Sequence, residues 1–335
     1  MQTKGSWFPS KPLDNAEILL VHLGGLGDVC LSESIFLSLQ KQFGNHLIGL
    51  GNRRFLNLFG EYFLRMEGVE SRKWLHLFSE RLTGPRWKQI VFIGKDREGR
   101  LRERWQKLSE ERVIFIDMYP EGAFEGATLP EVGQARAPFG SPGSTIICSS
   151  QSEREGEAPM ALPLEGATRA PSIEDYQLEQ LTRYGVEPVK KIIPLKKSQR
   201  ITLYPEKGFE KEKWSYENFI VLYQSLKAKG LEVTFLESLG LDLDVEDKVF
   251  FEDLGEVKEF FNGGGIFVSN DSGMAHLAGA SGLFTITIFT GFEPAIWRPR
   301  GRCMTLKQSE GVIGVNTIEG KIEEILKNFI DPEGS

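Results

Sequence analysis

Apolar residues fall along this chain in short unbroken runs, separated by stretches whose apolar positions recur about every four residues. Glu17–Leu23 (EILLVHL) has the continuous apolar character of a strand covered on both faces. Gly24–Asp28 is a glycine-rich turn, and Ser32–Phe43 reads as a helix with Leu31, Ile35, Leu39 and Phe43 on one face. Further runs at Leu47–Leu50, Ile90–Ile93, Val113–Ile116 and Ile146–Cys148 predict an α/β domain with a largely parallel sheet. From Tyr119 to Pro171 the pattern decays into Gly, Pro, Ala and Glu, which predicts long surface loops. Ser172–Tyr184 recovers a helical pattern.

A second α/β series starts at Ile201. The strand Ile201–Tyr204 and a polar loop lead into a helix over Tyr216–Lys229, with Gly230 as its stop. Strands follow at Val233–Leu236, Val249–Phe251, Ile266–Ser269 and Phe284–Phe289, and Ile318–Phe329 is an amphipathic closing helix. The expected organisation is a first domain over 1–185, a linker over 186–200 rich in Pro and Lys, and a second domain over 201–335, with the last helix (318–330) packing back on the first domain. Two domains suit a length of 335 residues, since single cores rarely grow past ~250–300. Ligands of open α/β sheets bind beyond the carboxyl ends of the strands, which directs attention to the loops after Leu23, Tyr204, Ser269 and Phe289.

Charge narrows the functional classes. The chain carries a net −7, which disfavours a general nucleic-acid binder. Residues 1–110 hold 17 Lys/Arg against 12 Asp/Glu, so the excess of acid lies in the remainder. A basic first half suits either an anionic substrate or membrane surface, or simply a solvated charged face. Met1–Asp14 lacks the apolar core of a signal peptide, and no run approaches the ~20 apolar residues of a membrane span. Cys30, Cys148 and Cys303 are too scattered for a metal or redox motif. These features predict a cytoplasmic protein.

Four segments carry candidate chemistry. In Gly24-Gly25-Leu26-Gly27-Asp28, Gly25 and Gly27 permit close approach of a ligand, and Asp28 sits at a helix start where the dipole favours a carboxylate; a plain helix cap has the same appearance. A dinucleotide fingerprint fits poorly, because Cys30 replaces its third small residue and Asn52-Arg53-Arg54 replaces its acidic residue. Tyr204–Trp214 joins a strand to a helix and offers Gly208, Lys211 and Lys213 to a phosphate, although surface Lys/Glu loops are common. In Ser269–His276, Asn270, Asp271 and Ser272 can each cap the helix that follows. Its free amides at Ser272 and Gly273 suit a pyrophosphate, and His276 lies one turn beyond Ser272. Phe289–Pro299 is a structured loop with Glu293 and Trp297. The run Asp242–Asp247 reads as a solvated acidic turn in preference to a metal site.

In order, Gly-x-Leu-Gly-Asp, Lys-Trp before a helix, Ser-Asn-Asp-Ser-Gly-x-Ala-His-Leu-Ala and Phe-Thr-Gly-x-x-Glu-Pro-Ala-x-Trp resemble the heptosyltransferase family, glycosyltransferase family 9. The resemblance runs from Glu17 to Pro299. It implies a GT-B fold, two Rossmann-like domains with parallel sheets facing across a cleft, and an inverting, metal-independent bacterial glycosyltransferase of lipopolysaccharide biosynthesis. It implies no cofactor, a nucleotide-sugar co-substrate (ADP-heptose), a glycolipid or oligosaccharide acceptor, a monomer, and peripheral contact with the cytoplasmic face of the inner membrane. Asp28 would be the catalytic base, ionised near its ordinary pKa of ~4. Gly25, Gly27, Gly208, Lys211, Lys213, Asp271, Ser272, Gly273 and His276 would hold the donor. Arg53, Arg54 and Arg97 are the candidate acceptor contacts, with Arg100 and Arg104 nearby. The sequence departs from the family at Glu212, where a basic residue is usual, and at Glu237–Gly240. These departures keep open a transferase with another nucleotide sugar, or a binding protein that has lost turnover.

Overall fold

The computed structural model describes residues 17–79, 85–96, 98–120, 123, 171–206, 213–238, 244–308 and 313–330. The chain forms two compact units. The first comprises residues 1–119, 174–192 and 252–260; the second comprises 120–173, 193–251 and 261–335. The expected strand at Ile146–Cys148 lies outside the described residues.

The first elements are β1 (Ile18–His22), α1 (Leu26–Leu31), α2 (Glu33–Phe43), β2 (Leu47–Gly51), α3 (Arg53–Leu56), β3 (Arg65–Gly68) and α4 (Leu75–Phe78). They are followed by β4 (Gln89–Gly94), α5 (Arg100–Gln106), β5 (Ile114–Asp117) and α6 (Ile173–Thr182). Among the described residues the sheet of this unit has five strands in the order β3-β2-β1-β4-β5, every pair parallel. Leu20 stands in register with Gly49 on one side and Val91 on the other. β1 and β4 are buried along their whole length, as their unbroken apolar runs require of central parallel strands. Leu19, Val21, Ile48, Ile90, Phe92, Trp105 and Phe115 form the core beneath them.

The second series runs β6 (Ile201–Tyr204), α7 (Tyr216–Ala228), β7 (Val233–Leu236), β8 (Lys248–Val249) and α8 (Leu254–Phe261). It continues with β9 (Ile266–Asn270), α9 (Gly273–Ala280), β10 (Phe284–Phe289), α10 (Pro294–Trp297), β11 (Cys303–Lys307) and α11 (Val315–Ile330). Its sheet is also parallel, in the order β11-β10-β9-β6-β7-β8. Each sheet therefore starts at its centre, grows one way, and then reverses. The reversal falls between β1 and β4 in one sheet and between β6 and β9 in the other. At such a point neighbouring connections leave in opposite directions and open a crevice at the carboxyl edge.

Several elements differ from the sequence reading, each for a local reason. The first helix begins at Leu26 and breaks at Ser32 instead of starting there. The Ser32 hydroxyl lies 2.9 Å from the Asp28 carbonyl, a back-bond that competes with helix continuation. The edge strands β3 and β11 were hidden because their side chains are only partly covered and supply no apolar run. The closing helix α11 belongs to the second unit. Ile318, Ile322, Ile325 and Leu326 enter the core of the second with Leu222 and Leu226 of α7. The segment that joins the first unit is Glu252–Phe260, where Lys258 donates to the Leu58 carbonyl and stands over the Phe59 ring. Among the described residues no helix is long and apolar enough to cross a membrane.

Ile322 has no exposed surface. Ile322→Ala is expected to destabilise the second unit by about 2–5 kcal/mol, read from its urea unfolding midpoint. A loss below ~1 kcal/mol would place α11 outside that core.

Candidate active site

The carboxyl end of β1 passes through Gly24 directly into α1, so Asp28 falls in the first helical turn. Its Oδ2 accepts the backbone N–H of Gly25, the helix-capping residue, at 2.8 Å. Its Oδ1 accepts the hydroxyl of Tyr119, just beyond β5, at 2.5 Å. Burial raises the Asp28 carboxyl above its ordinary range, against the lowering effect of these two donors. This corrects the expectation of a carboxyl near ~4: the group is a stronger base than a solvated aspartate. Burial also raises the Tyr119 phenol, and the Asp28 charge adds to it, so the phenol stays a donor. Lys95, beyond β4, lies 5.5 Å from the centre of the Tyr119 ring.

A buried polar network supports this pair. His22, the last residue of β1, is held neutral by burial, which lowers its pKa to about 4. Its Nδ1 accepts the Gly24 N–H at 3.2 Å, which leaves the proton on Nε2, 3.2 Å from Ser32 Oγ. Ser32 Oγ lies 2.9 Å from both the Asp28 carbonyl oxygen and Gln177 Oε1, and its single proton is shared between these two acceptors. Gln177 on α6 then donates to the Met118 carbonyl, next to Tyr119. Backbone at both ends of the Asp28–Tyr119 hydrogen bond is thus tied to one chain of buried side chains. His22, Gln177 and Tyr119 were not singled out from the sequence. The available signal was position: His22 ends a central strand, and Tyr119 lies two residues beyond another strand.

In the second unit, β9 delivers Asn270, Asp271 and Ser272 to the carboxyl edge. Only Ser272 caps α9, its hydroxyl accepting from Ala275 N at 3.2 Å. Asn270 instead clamps the loop after β6: its Oδ1 accepts from Trp214 N at 3.0 Å, and its Nδ2 donates to Trp214 O at 3.2 Å. The Trp214 indole N–H donates to the Ile313 carbonyl, so this ring is an anchor within the core. Asp271 is raised to about 7, first by burial and then by the charge of Glu206, while Lys213 opposes the rise. Lys213 is paired with Glu206 at 2.7 Å. The expected phosphate-facing lysine therefore has an internal counter-ion that a bound anion would have to displace. His276 is lowered to about 4 by burial. Its Nε2 is 3.8 Å from Asp271 Oδ1, and its Nδ1 is buried with no hydrogen-bond partner among the described residues. The Gly273 end of α9 leaves amides suited to an anion beside this group. Close packing at α9 is set by Gly279, where a Cβ would meet the Arg300 carbonyl at 2.4 Å.

Within the first unit Gly25, Gly27 and Asp28 come together; within the second Lys213, Asp271, Ser272, Gly273 and His276 do. Gly208, Lys211 and Arg97 lie outside the described residues. Arg53 and Arg54 open α3, whose cap is Asn52, and Arg54 donates to the Glu252 carbonyl at 3.0 Å. Arg100 pairs with Glu98, and Arg104 donates to the Phe78 carbonyl. Glu293 occupies the N-cap position of α10 ahead of Pro294 without a side-chain capping bond, and pairs with Lys307 at 2.6 Å. At the end of the acidic run, Asp247 takes the Tyr223 hydroxyl at 2.6 Å and Lys227 at 2.8 Å.

The turn's need for glycine falls on Gly24. A Cβ there would lie 2.5 Å from the Asp28 Cβ and 2.8 Å from the Met118 side chain, whereas at Gly25 the nearest atom is Asp28 Oδ2 at 3.7 Å. Gly24→Ala is expected to cost about 1–3 kcal/mol of stability through this clash. Gly25→Ala should cost under ~1 kcal/mol, the loss of a tolerated cap. Denaturant midpoints that reversed this order would contradict the assignment.

The family description "Glycosyltransferase family 9 (heptosyltransferase)" matches residues 252–319, a stretch that includes β9, α9, β10, α10 and β11. A search of curated proteins by sequence gives no match. Among solved structures, Escherichia coli heptosyltransferase WaaC with ADP matches with a TM-score of 0.60 at 14 % identity, over 92 % of this chain and 99 % of that one. A glycosyl transferase of family 9 from Veillonella parvula matches with 0.58 at 14 %, over 97 % and 100 %. The Escherichia coli ADP-heptose LPS heptosyltransferase II matches with 0.55 at 14 %, over 95 % and 100 %. Likeness at this identity speaks for the fold. With the family 9 signature in residues 252–319 and the two parallel sheets of the GT-B fold, the chain is glycosyltransferase family 9-like in sequence and heptosyltransferase-like in architecture.

Proposed function

We propose that this protein transfers a heptose or related sugar, with inversion, from a nucleoside-diphosphate donor of the ADP-heptose type to a hydroxyl of a lipopolysaccharide-core or other glycan acceptor. The observation that carries the reading is the carboxyl of Asp28, held at the switch point of the first sheet by two hydrogen bonds and raised above its ordinary range by burial. A general base works best when its pKa approaches the working pH while it remains largely ionised. As the acceptor oxygen bonds to the anomeric carbon, its proton passes to Asp28. The bond from that carbon to the diphosphate breaks, and its electron pair leaves with the diphosphate. Amides at the start of α9 and the Lys213 ammonium stabilise that negative charge without a metal. An Asp271 carboxyl raised to about 7 gives up its charge more readily than a solvated aspartate, which reduces repulsion of the same anion. His276 and Asp271 fix the donor, and Arg53 and Arg54 contact an anionic acceptor.

The proposal places a monomer in the bacterial cytoplasm, at the inner face of the inner membrane where lipid-linked acceptors are presented, with no cofactor and no nucleic-acid partner. The Lys213–Glu206 pair favours a second reading, in which the chain takes another nucleotide sugar or binds a donor without turnover.

Asp28→Asn separates these readings. It keeps the size of the side chain and removes the proton acceptor. Turnover measured by released nucleoside diphosphate should fall at least ~100-fold, with donor affinity within about threefold of the parent by calorimetry. Turnover that survives the change would remove Asp28 as the base. A parent that binds donor and forms no product would establish the binding reading.

A further inference from the structure

We propose that Tyr119 is the positioning residue of Asp28, fixing the orientation of its carboxyl through a hydrogen bond to the oxygen that Gly25 N–H leaves open. The role of Asp28 as base rests on the transfer reaction proposed above; the hold of Tyr119 on it rests on geometry. The two residues are separated by 91 positions, yet the phenol reaches Oδ1 at 2.5 Å while Gly25 N–H takes Oδ2. A carboxylate offers about four acceptor sites. One on each oxygen is taken by the protein, which locks the carboxyl plane and leaves the others for an incoming hydroxyl. Gly25 N–H is a neutral backbone donor that any residue but proline would supply. Tyr119 is the donor the sequence chooses at this place.

The groups around the pair leave the phenol as the deciding one. From β1 the facing titratable side chain is His22, which is neutral and spends its Nδ1 on Gly24. From beyond β4 comes Lys95, over the face of the Tyr119 ring. From α6 comes Gln177, which is uncharged and holds the Met118 carbonyl, and thereby the backbone beside Tyr119. Desolvation works against the charged form of Asp28, and the Tyr119 hydroxyl is the first side-chain group that works for it. A hydrogen bond donated to a carboxylate lowers its pKa. Removing the hydroxyl therefore moves the titration midpoint up, and at a given pH below the new midpoint less base is available.

The experiment is a pH titration of the full chain labelled with 13C-carboxyl aspartate, the Asp28 signal assigned by its absence in Asp28→Asn. In Tyr119→Phe the Asp28 midpoint should rise by about one pH unit or more, and the acid limb of kcat/KM should move with it, losing about tenfold at pH values on that limb and recovering toward the parent above it. In a chain carrying 3-fluorotyrosine at position 119, whose phenol is more acidic, the midpoint should fall; this nearly isosteric replacement serves if the phenylalanine variant folds poorly. An Asp28 midpoint that stays in place in both chains would overturn the proposal, as would a loss of kcat/KM in Tyr119→Phe that is the same at every pH. A midpoint that moves as described in a protein without transferase activity would support the hold of Tyr119 while removing the transfer reading.

Discussion

A parallel sheet cannot close its connections evenly. Wherever the strand order reverses, two adjacent connections leave for opposite faces and the carboxyl edge between them stays open. Both units of this protein are built around such a reversal, β1 against β4 and β6 against β9. The chain places its unusual residues there and little else. Gly24 to Asp28 follow β1, Lys95 follows β4, Pro205 to Trp214 follow β6, and Asp271 to His276 follow β9. The flanking strands are buried along their length, so the polar groups at their ends hang from elements of the core.

Burial then sets the chemistry of these groups. In the first unit one neutral histidine, one serine and one glutamine satisfy each other beneath the carboxyl, so Asp28 is desolvated without losing its orientation. In the second unit the balance is acidic. Asp271 and Glu206 stand together against Lys213, which raises Asp271 to about 7 and lets the site exchange a proton near neutrality. A bound diphosphate would compete with Glu206 for the lysine and draw a proton onto Asp271. The apparent excess of acid at this site is thus compatible with an anionic ligand, provided these carboxyls yield.

Much of this was legible in the sequence where the signal was local. The central strands are unbroken apolar runs, α7 is bounded by Ser215 and Gly230, and the Gly-x-Leu-Gly-Asp and Asn-Asp-Ser-Gly segments fall at strand ends. What escaped depends on distant partners. Tyr119 bonds to Asp28 across 91 positions, and its place two residues beyond β5 is the one local mark it carries. Asn270 has the composition of a helix cap, yet its amide faces Trp214, because the neighbouring Ser272 already supplies the cap. The closing helix carries an apolar face whose partners, Leu222 and Leu226 of α7 in the second core, lie some 90 or more positions earlier in the chain and are not marked by its own sequence. The raised carboxyl of Asp28 has the same origin, because desolvation is a property of the assembled site.

The central claim is that the second unit holds the nucleoside diphosphate of a sugar donor. Its most direct test is the thermal stability of the purified protein with ADP, UDP, GDP and nicotinamide dinucleotides. A ligand at ~100 times its dissociation constant adds about 2.7 kcal/mol to the folded state, an easily measured rise in Tm. The account predicts a selective rise with ADP, lost on Ser272→Ala. No rise with any nucleoside diphosphate, or a rise only with nicotinamide dinucleotides, would contradict it.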